Sequence, residues 1–331
     1  MAAYADDRPC YSIVIPIYNE EAVLPLLLHR LDALLQNLGA PAEAIFVDDG
    51  STDTSSIILK AKAKDDPRYR YIGLSRNFGQ QVAMSAGMDA ARGDAVIIMD
   101  GDLQDPPEVV AAMIARWKEG YEVVYARRIS REGESAFKKK TSILFYKALS
   151  WVSAVKIPAD VGDFRLIDRK ALDAFRSMPE RDRFVRGMVA WLGFRQTEVT
   201  FHRPPRAAGE TKYPFWKMLR LAVSGVIGFS DAPLRLAIWA GLVVSALALL
   251  YGTYIVGLWF TRSDLVQGWS STIVVVSLLC GINMLMTGII GLYIGRIHAE
   301  VKRRPLYIVG ERVGFDAAQA PSAAERRAES A

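Results

Sequence analysis

Two long runs without a single charge constrain this chain more than any other feature. Leu236–Phe260 and Ser270–Gly295 contain no Asp, Glu, Lys or Arg. Each is about 25 residues, or about 37 Å as a helix at about 1.5 Å per residue. A bilayer core is about 30 Å thick and needs about 20 residues to cross. A buried helix of a soluble protein is the alternative, but uncharged runs of this length argue against it. Trp239, Trp259 and Trp269 lie near the run ends, where interfacial aromatics sit. Arg235 precedes the first run, and Arg296, Lys302, Arg303 and Arg304 follow the second, while Arg262 in the connection is balanced by Asp264. Positive flanks stay inside. The expectation is a transmembrane hairpin over 234–296, multi-pass in the inner (plasma) membrane, with the N-terminal part and the 297–331 tail in the cytosol. The start, with Asp6, Asp7 and Arg8, lacks the apolar stretch of a signal peptide.

The preceding 205 residues read differently. Apolar runs at Ser12–Pro16, Ala44–Val47, Tyr69–Leu74, Ala95–Met99 and Glu122–Tyr125 predict strands. Between them, Glu20–Leu38, Ser55–Ala63, Gly79–Ala91 and a segment from Pro106 predict helices; the first sets Val23, Leu27, Leu31, Leu34 and Leu35 on one face. Such alternation implies an α/β domain with a mainly parallel sheet, and ligands bind such sheets at the carboxyl ends of their strands. Those ends carry Tyr18-Asn19-Glu20, Asp48-Asp49, Ser75-Arg76-Asn77 and Asp100-Gly101-Asp102. After this domain (1–205), residues 206–233 mix aromatic, aliphatic and basic side chains around Tyr213–Phe229, as helices lying in a membrane interface do. The end beyond Phe315, rich in Ala, Glu and Arg, has the composition of a disordered tail.

Asp100 and Asp102 are the first chemical candidates. A carboxylate pair suits Mg²⁺ or Mn²⁺, which accept substrate phosphate oxygens in their other positions; Gln104 could add a ligand, and Asp-Gly is also common turn chemistry. Asp105 reads as a helix cap, since Asp-Pro-Pro-Glu108 is a good helix start. Asn19, Glu20, Asp48 and Asp49 are open to two readings, ligand contact or capping. Asp163, flanked by apolar residues, is either a catalytic base or a buried partner of Arg165. Arg127, Arg128 and Arg131, with Lys138–Lys140 beyond, and His202, Arg203, Arg206, Lys212 and Lys217 form two basic clusters around the approach to the membrane. Basic side chains there gain from an anionic leaflet, and Arg can grip a phosphate in bidentate fashion. The formal charge of +5 and pI of about 9.1 suit a phosphate-bearing or membrane partner; nucleic acid is not expected. Cys10 and Cys280 form no metal or redox motif.

The motifs Ser12-Ile-Val-Ile-Pro-Ile-Tyr-Asn-Glu20, Val47-Asp-Asp-Gly-Ser-Thr-Asp53, Leu74-Ser-Arg-Asn-Phe-Gly79 and Met99-Asp-Gly-Asp-Leu-Gln104 resemble glycosyltransferase family 2, with its GT-A fold. Gly162-Asp-Phe-Arg165, Arg183-Phe-Val-Arg-Gly187 and Gly209-Glu-Thr-Lys-Tyr213, with a C-terminal hairpin, look like its polyprenyl-phosphate branch. The resemblance spans about residues 10–310. It implies a GT-A nucleotide-sugar domain, interfacial helices and a two-helix membrane hairpin. It implies that Pro16, Tyr18, Glu20 and Asp48 hold the nucleotide, with Asn19, Asp49, Arg76 and Asp100 beside them. Asp100, Asp102 and sometimes Gln104 would bind Mg²⁺ or Mn²⁺. Arg128, with Arg127 and Arg131, and the motif around Arg206 and Lys212 would meet the lipid phosphate; Asp163 and Asp102 would be catalytic. The Gln-x-x-Arg-Trp motif of the processive synthases is absent from the sequence, which disfavours polymer synthesis. The implied reaction is inverting transfer of one hexose from a nucleotide-sugar donor to a polyprenyl phosphate acceptor. Glucose from UDP-glucose to undecaprenyl phosphate fits best; GDP-mannose, aminoarabinose transfer and an inactive membrane scaffold are the alternatives. Homo-oligomerisation stays open.

Overall fold

The computed structural model describes residues 9–129, 161–181, 183–202, 232–261 and 268–315. They fall into two units, one built on the sheet and resuming at Arg304, the other made of the two long helices.

The sheet runs β7-β5-β6-β4-β1-β2-β3-β8. Its centre is β1 (Tyr11–Ile17), β2 (Ala42–Asp48), β3 (Tyr69–Leu74) and β4 (Ala95–Ile98), all parallel. Both faces of these strands are covered, so they read as continuous apolar runs. The crossovers are α1 (Leu24–Asn37), α2 (Ser55–Asp65) and α3 (Gln80–Ala90), and α4 (Val109–Lys118) follows β4. In α1 the buried residues are Leu24, Leu27, Leu31, Leu34 and Leu35, the expected stripe. The helix starts at Leu24 and not at Glu20. Pro25 sits in its first turn, where a missing N–H costs nothing, and Glu20–Val23 form a turn before it.

Beyond β4 the sheet becomes mixed. β6 (Val161–Asp168) runs antiparallel to β4 and to β5 (Val123–Ile129), and β7 (Gln196–His202) is parallel to β5. Ile98 pairs with Arg165; carried on by two residues, that register sets Asp100 across from Asp163. Two short helices, α5 (Arg169–Ser177) and α6 (Val185–Trp191), lie between β6 and β7.

The opposite edge holds a departure from the sequence reading. Val309–Val313, assigned to a tail, forms β8, antiparallel to β3. Its approach is tied down as well: Tyr307 donates its hydroxyl to Asp89 at 3.0 Å, and Lys60 pairs with Glu311 at 2.5 Å.

The second unit contains α7 (Ala232–Thr261) and α8 (Trp269–Val301). Both are long and apolar enough to cross a membrane. Leu249, Leu250 and Met284 are 74%, 66% and 78% exposed, an apolar surface of the kind that a membrane or another partner covers. Thr253 and Thr272 donate their hydroxyls to carbonyls four residues back, so their polar atoms are satisfied within the helix. The expected interfacial helix of Tyr213–Phe229 lies outside the described residues, as do Arg131, Arg206 and Lys212.

Candidate active site

The sequence candidates that the structure describes converge on one edge of the sheet. The loops after β1, β2, β3 and β4 leave carboxyl ends, Arg127 and Arg128 lie near the same end of β5, and Asp163 lies at the start of antiparallel β6.

The first two loops hold each other. Asn19, at φ +54°, donates its N–H to Ser51 Oγ at 3.0 Å, and its Oδ1 accepts the N–H of Thr52 at 2.8 Å. The Glu20 N–H donates to Ser55 Oγ at 3.0 Å. Neither Asn19 nor Glu20 caps α1, whose cap position is Val23. Pro16 and the exposed Tyr18 stand at the mouth of the same edge. Asp48 accepts the Ser51 N–H at 2.8 Å on one oxygen and the Tyr71 hydroxyl at 2.9 Å on the other. Burial and the Asp48 carboxylate push the Tyr71 hydroxyl far up, so it stays a donor.

Asp49 is tied to the neighbouring loop: its two oxygens accept the N–H groups of Phe78 and Gly79, at 2.7 and 2.9 Å. Burial raises its pKa against those bonds. It thereby anchors the β3–α3 loop. Gly50 completes that junction: at φ +73°, a Cβ there would lie 2.8 Å from the Arg76 and Asn77 backbone. Arg76 stacks its guanidinium over Phe78, 4.0 Å from the ring centroid, and stays exposed.

The loop after β4 is the most constrained. Leu103 is buried at φ +59°, a backbone state costing a leucine about 1–3 kcal/mol. Asp102 Oδ1 accepts the Gln104 N–H at 3.1 Å, while Asp100 Oδ1 accepts the Gln80 amide at 2.7 Å. Asp105 is not the cap of α4, whose cap position is Glu108, itself paired with Arg30. Asp105 is fully buried; one oxygen accepts the Asp100 N–H at 3.2 Å, and Arg128 lies 3.6 Å from the other. It ties down the loop that carries the candidate ligands.

Asp163 is equally engaged, hydrogen-bonded to Arg186 and acting on Arg165 only through its charge. Arg186, from α6, binds it side-on, Nε to Oδ1 at 2.7 Å and Nη2 to Oδ2 at 2.9 Å. The Gln81 amide adds a bond to Oδ2 at 3.2 Å, while Gln81 Oε1 accepts the Val185 N–H at 3.0 Å. Burial alone would raise the Asp163 carboxyl; Arg186, Arg165 and Gln81 together hold it below the usual range. Arg165 is buried, its pKa lowered to about 10 by desolvation, and its Nη2 donates to the Gly162 carbonyl at 2.9 Å. Gln80, Gln81 and Arg186 escaped the sequence reading. Arg186 lies in the motif Arg183–Gly187 and Gln80 directly follows the motif ending at Gly79, but nothing local says which carboxylate each side chain reaches.

The two arginines of β5 separate. Arg127 is exposed and paired with Glu198 of β7 at 3.2 Å. Arg128 lies against Gly162, where a Cβ would come within 2.8 Å of its Nη2.

Among the described residues no three His, Cys, Asp or Glu side chains are grouped to hold a metal alone. Asp100 and Asp102 still fit Mg²⁺ or Mn²⁺, which take one or two carboxylates and complete their shells with water and substrate phosphate. Burial and the neighbouring Asp105, Asp163 and Asp102 carboxylates drive the Asp100 carboxyl well above its usual range. A cation at that point would relieve the crowding of negative charge.

The chain matches the Glycosyl transferase family 2 domain over residues 12–176. It is 49% identical to an uncharacterized glycosyltransferase, YkcC, of Bacillus subtilis (strain 168), across 92% of this chain and 95% of that one. It is 38% identical to the prophage bactoprenol glucosyl transferase homolog of Escherichia coli (strain K12), across 90% and 97%. The chain belongs to glycosyltransferase family 2. Its sheet is the mixed, mainly parallel sheet of the GT-A fold. Among solved structures, glucosyl-3-phosphoglycerate synthase from Mycobacterium tuberculosis is similar at 20% identity and a TM-score of 0.46, over 68% of this chain and 82% of that one. As a family member, this glycosyltransferase presents its carboxylates where the parallel strands end, the edge at which such sheets take ligands.

Proposed function

We propose that this glycosyltransferase moves a single glucose from UDP-glucose to a polyprenyl monophosphate at the cytosolic face of the membrane. One observation carries the reading. Proteins named bactoprenol glucosyl transferase match 90% of this chain, a share too large to leave out α7 and α8. The sheet and the apolar helices are therefore shared together.

The chain's own residues divide the work as follows. Pro16, Tyr18, Asn19, Glu20, Asp48 and Arg76 line the nucleotide side. Asp100 and Asp102, with Gln104 beside them, would hold Mg²⁺ or Mn²⁺, which would supply positive charge to the leaving diphosphate. Arg128, with Arg131, Arg206 and Lys212, receives the acceptor phosphate. A phosphate oxygen forms a bond to the anomeric carbon from the face opposite UDP. The carbon–oxygen bond to UDP breaks, and UDP leaves with its electron pair, so configuration inverts. No proton has to move, because a phosphate monoester with a second pKa near about 6 is already largely dianionic at neutral pH. Asp163, held ionised by Arg186, is a poor base and a good anchor. It positions Arg186 and the start of α6.

Chain connectivity supports the membrane arrangement. The segment between β7 and β8 leaves the sheet and returns to it. A two-helix hairpin fits that path, and Arg296, Lys302, Arg303 and Arg304 favour the cytosolic side for its flanks.

Membranes containing the protein, given polyprenyl phosphate and labelled UDP-glucose, UDP-galactose or GDP-mannose in turn, should form labelled lipid from UDP-glucose. Label from GDP-mannose alone would overturn the sugar assignment. Label from none, with active controls, would overturn transfer to this acceptor.

A further inference from the structure

Asp100, two residues beyond β4, lies close enough to Asp163 of β6 to feel its charge, yet the protein treats the two in opposite ways. Asp163 receives a guanidinium in side-on geometry, so its charge is cancelled. Asp100 receives from Gln80 a neutral amide on one oxygen, at 2.7 Å. An amide fixes the direction of a carboxylate without consuming its charge, which a Lys or Arg there would do. The donors come from consecutive residues of the first turn of α3. About 100° of helical rotation separates them, enough to send Gln80 to the end of β4 and Gln81 to β6. Gln81 is oriented at both ends, since its amide donates to Asp163 and its oxygen accepts the Val185 N–H.

We propose that Gln80 and Gln81 are positioning residues that assign these two carboxylates different roles. Gln80 orients Asp100 through one oxygen and adds no positive charge there to compete with a divalent cation. Gln81, together with Arg186, withdraws Asp163 from that cation and ties it to the start of α6. Residues that orient a metal ligand typically alter metal affinity by about 10- to 100-fold when lost. The inference rests on the cation reading of Asp100 and Asp102.

The test uses the full-length protein in detergent with UDP present. Bound Mn²⁺ is measured from the loss of the free-ion electron paramagnetic resonance signal. Gln80→Met and Gln81→Met are near-isosteric, at positions only partly buried. Gln80→Met should raise the Mn²⁺ dissociation constant by about 10-fold or more, whereas Gln81→Met should leave it within about threefold of wild type. Gln80→Asn, which keeps the amide but draws it back by one methylene, should weaken binding like Gln80→Met. Equal weakening in Gln80→Met and Gln81→Met would mean that the turn is merely structural and would overturn the proposal. So would unchanged affinity in the Gln80 variants while Asp100→Asn abolishes binding. A wild type that binds no Mn²⁺, or an Asp100→Asn variant that binds it normally, would overturn the cation reading and this inference with it.

Discussion

Replacing Asp163 by Asn separates an anchoring carboxylate from a general base. Asp163 accepts two bonds from Arg186, at 2.7 and 2.9 Å, and one from Gln81 at 3.2 Å. An Asn keeps one acceptor oxygen and turns an N–H₂ toward donors, so at least one charge-assisted bond is lost, about 1.5–3 kcal/mol. Arg186 also loses its counter-charge. Breaking a fully buried pair costs about 3–5 kcal/mol, but the Arg186 side chain is 30% exposed, and solvent screening reduces that. About 2–3 kcal/mol is the expected loss of stability, read as a fall in melting temperature of about 4–12 °C. The decisive measurement is a double-mutant cycle on kcat/KM. If Asp163 acts through Arg186, Arg186→Met should lower kcat/KM about as much as Asp163→Asn, and the double variant should be no worse than either single one. The double variant should also regain part of that stability, because no Arg186 guanidinium is left short of a counter-charge, while buried Arg165 still is. A base behaves differently. If Asp163→Asn loses about 10³-fold or more while Arg186→Met stays within about threefold of wild type, Asp163 acts on the substrate directly and the anchoring account fails.

Asp100→Asn and Asp102→Asn should each remove Mn²⁺-stimulated transfer almost completely while leaving the fold intact, checked by turnover across a Mn²⁺ titration beside circular dichroism. Gly162→Ala should raise KM for the acceptor more than it lowers kcat, since its Cβ would sit 2.8 Å from Arg128 Nη2; initial rates against polyprenyl phosphate concentration test this. Asp66, whose carboxyl is held below its usual range chiefly by Arg68, against partial burial, stabilises the fold above the unfolded carboxylate range, about pH 4. Asp66→Asn should therefore destabilise the protein at pH 7, and the difference should vanish as pH falls through the lowered pKa; denaturant melts at several pH values check the sign. Ending the chain at Arg303 should expose the β3 edge and make the sheet unit protease-sensitive, read by limited proteolysis of membranes.

The parallel half of the sheet was legible because β1 to β4 are buried on both faces and read as unbroken apolar runs. In the mixed half only β5 was, as the run Glu122–Tyr125. In β6 the buried positions include Asp163 and Arg165, charged residues that break the pattern of a core strand. β8 is five residues with a Gly, a Glu and an Arg, and its partner β3 is more than two hundred positions away, so no local periodicity announces it. The site divides along the same line. That polar residues gather at strand ends follows from alternation of strand and helix. Which carboxylate meets which donor does not, because Asp163 and its obvious neighbour Arg165 sit in one strand while its partner Arg186 arrives from α6. Asp105 shows the same limit: its Asp-Pro-Pro-Glu setting is a fair helix start, yet burial and the Asp100 N–H give it another task.

The return of β8 has a consequence for biosynthesis. At about 5–20 residues per second, the roughly 235 residues between the end of β3 and the start of β8 take about 12–47 s to emerge from the ribosome. During that interval β3 is an open sheet edge, the kind of surface on which strands of other chains assemble. It closes only in molecules that have already synthesised both long apolar helices. A chain cut short within them keeps an adhesive edge, so incomplete products should be prone to aggregation, and synthesis of both long helices precedes completion of the sheet.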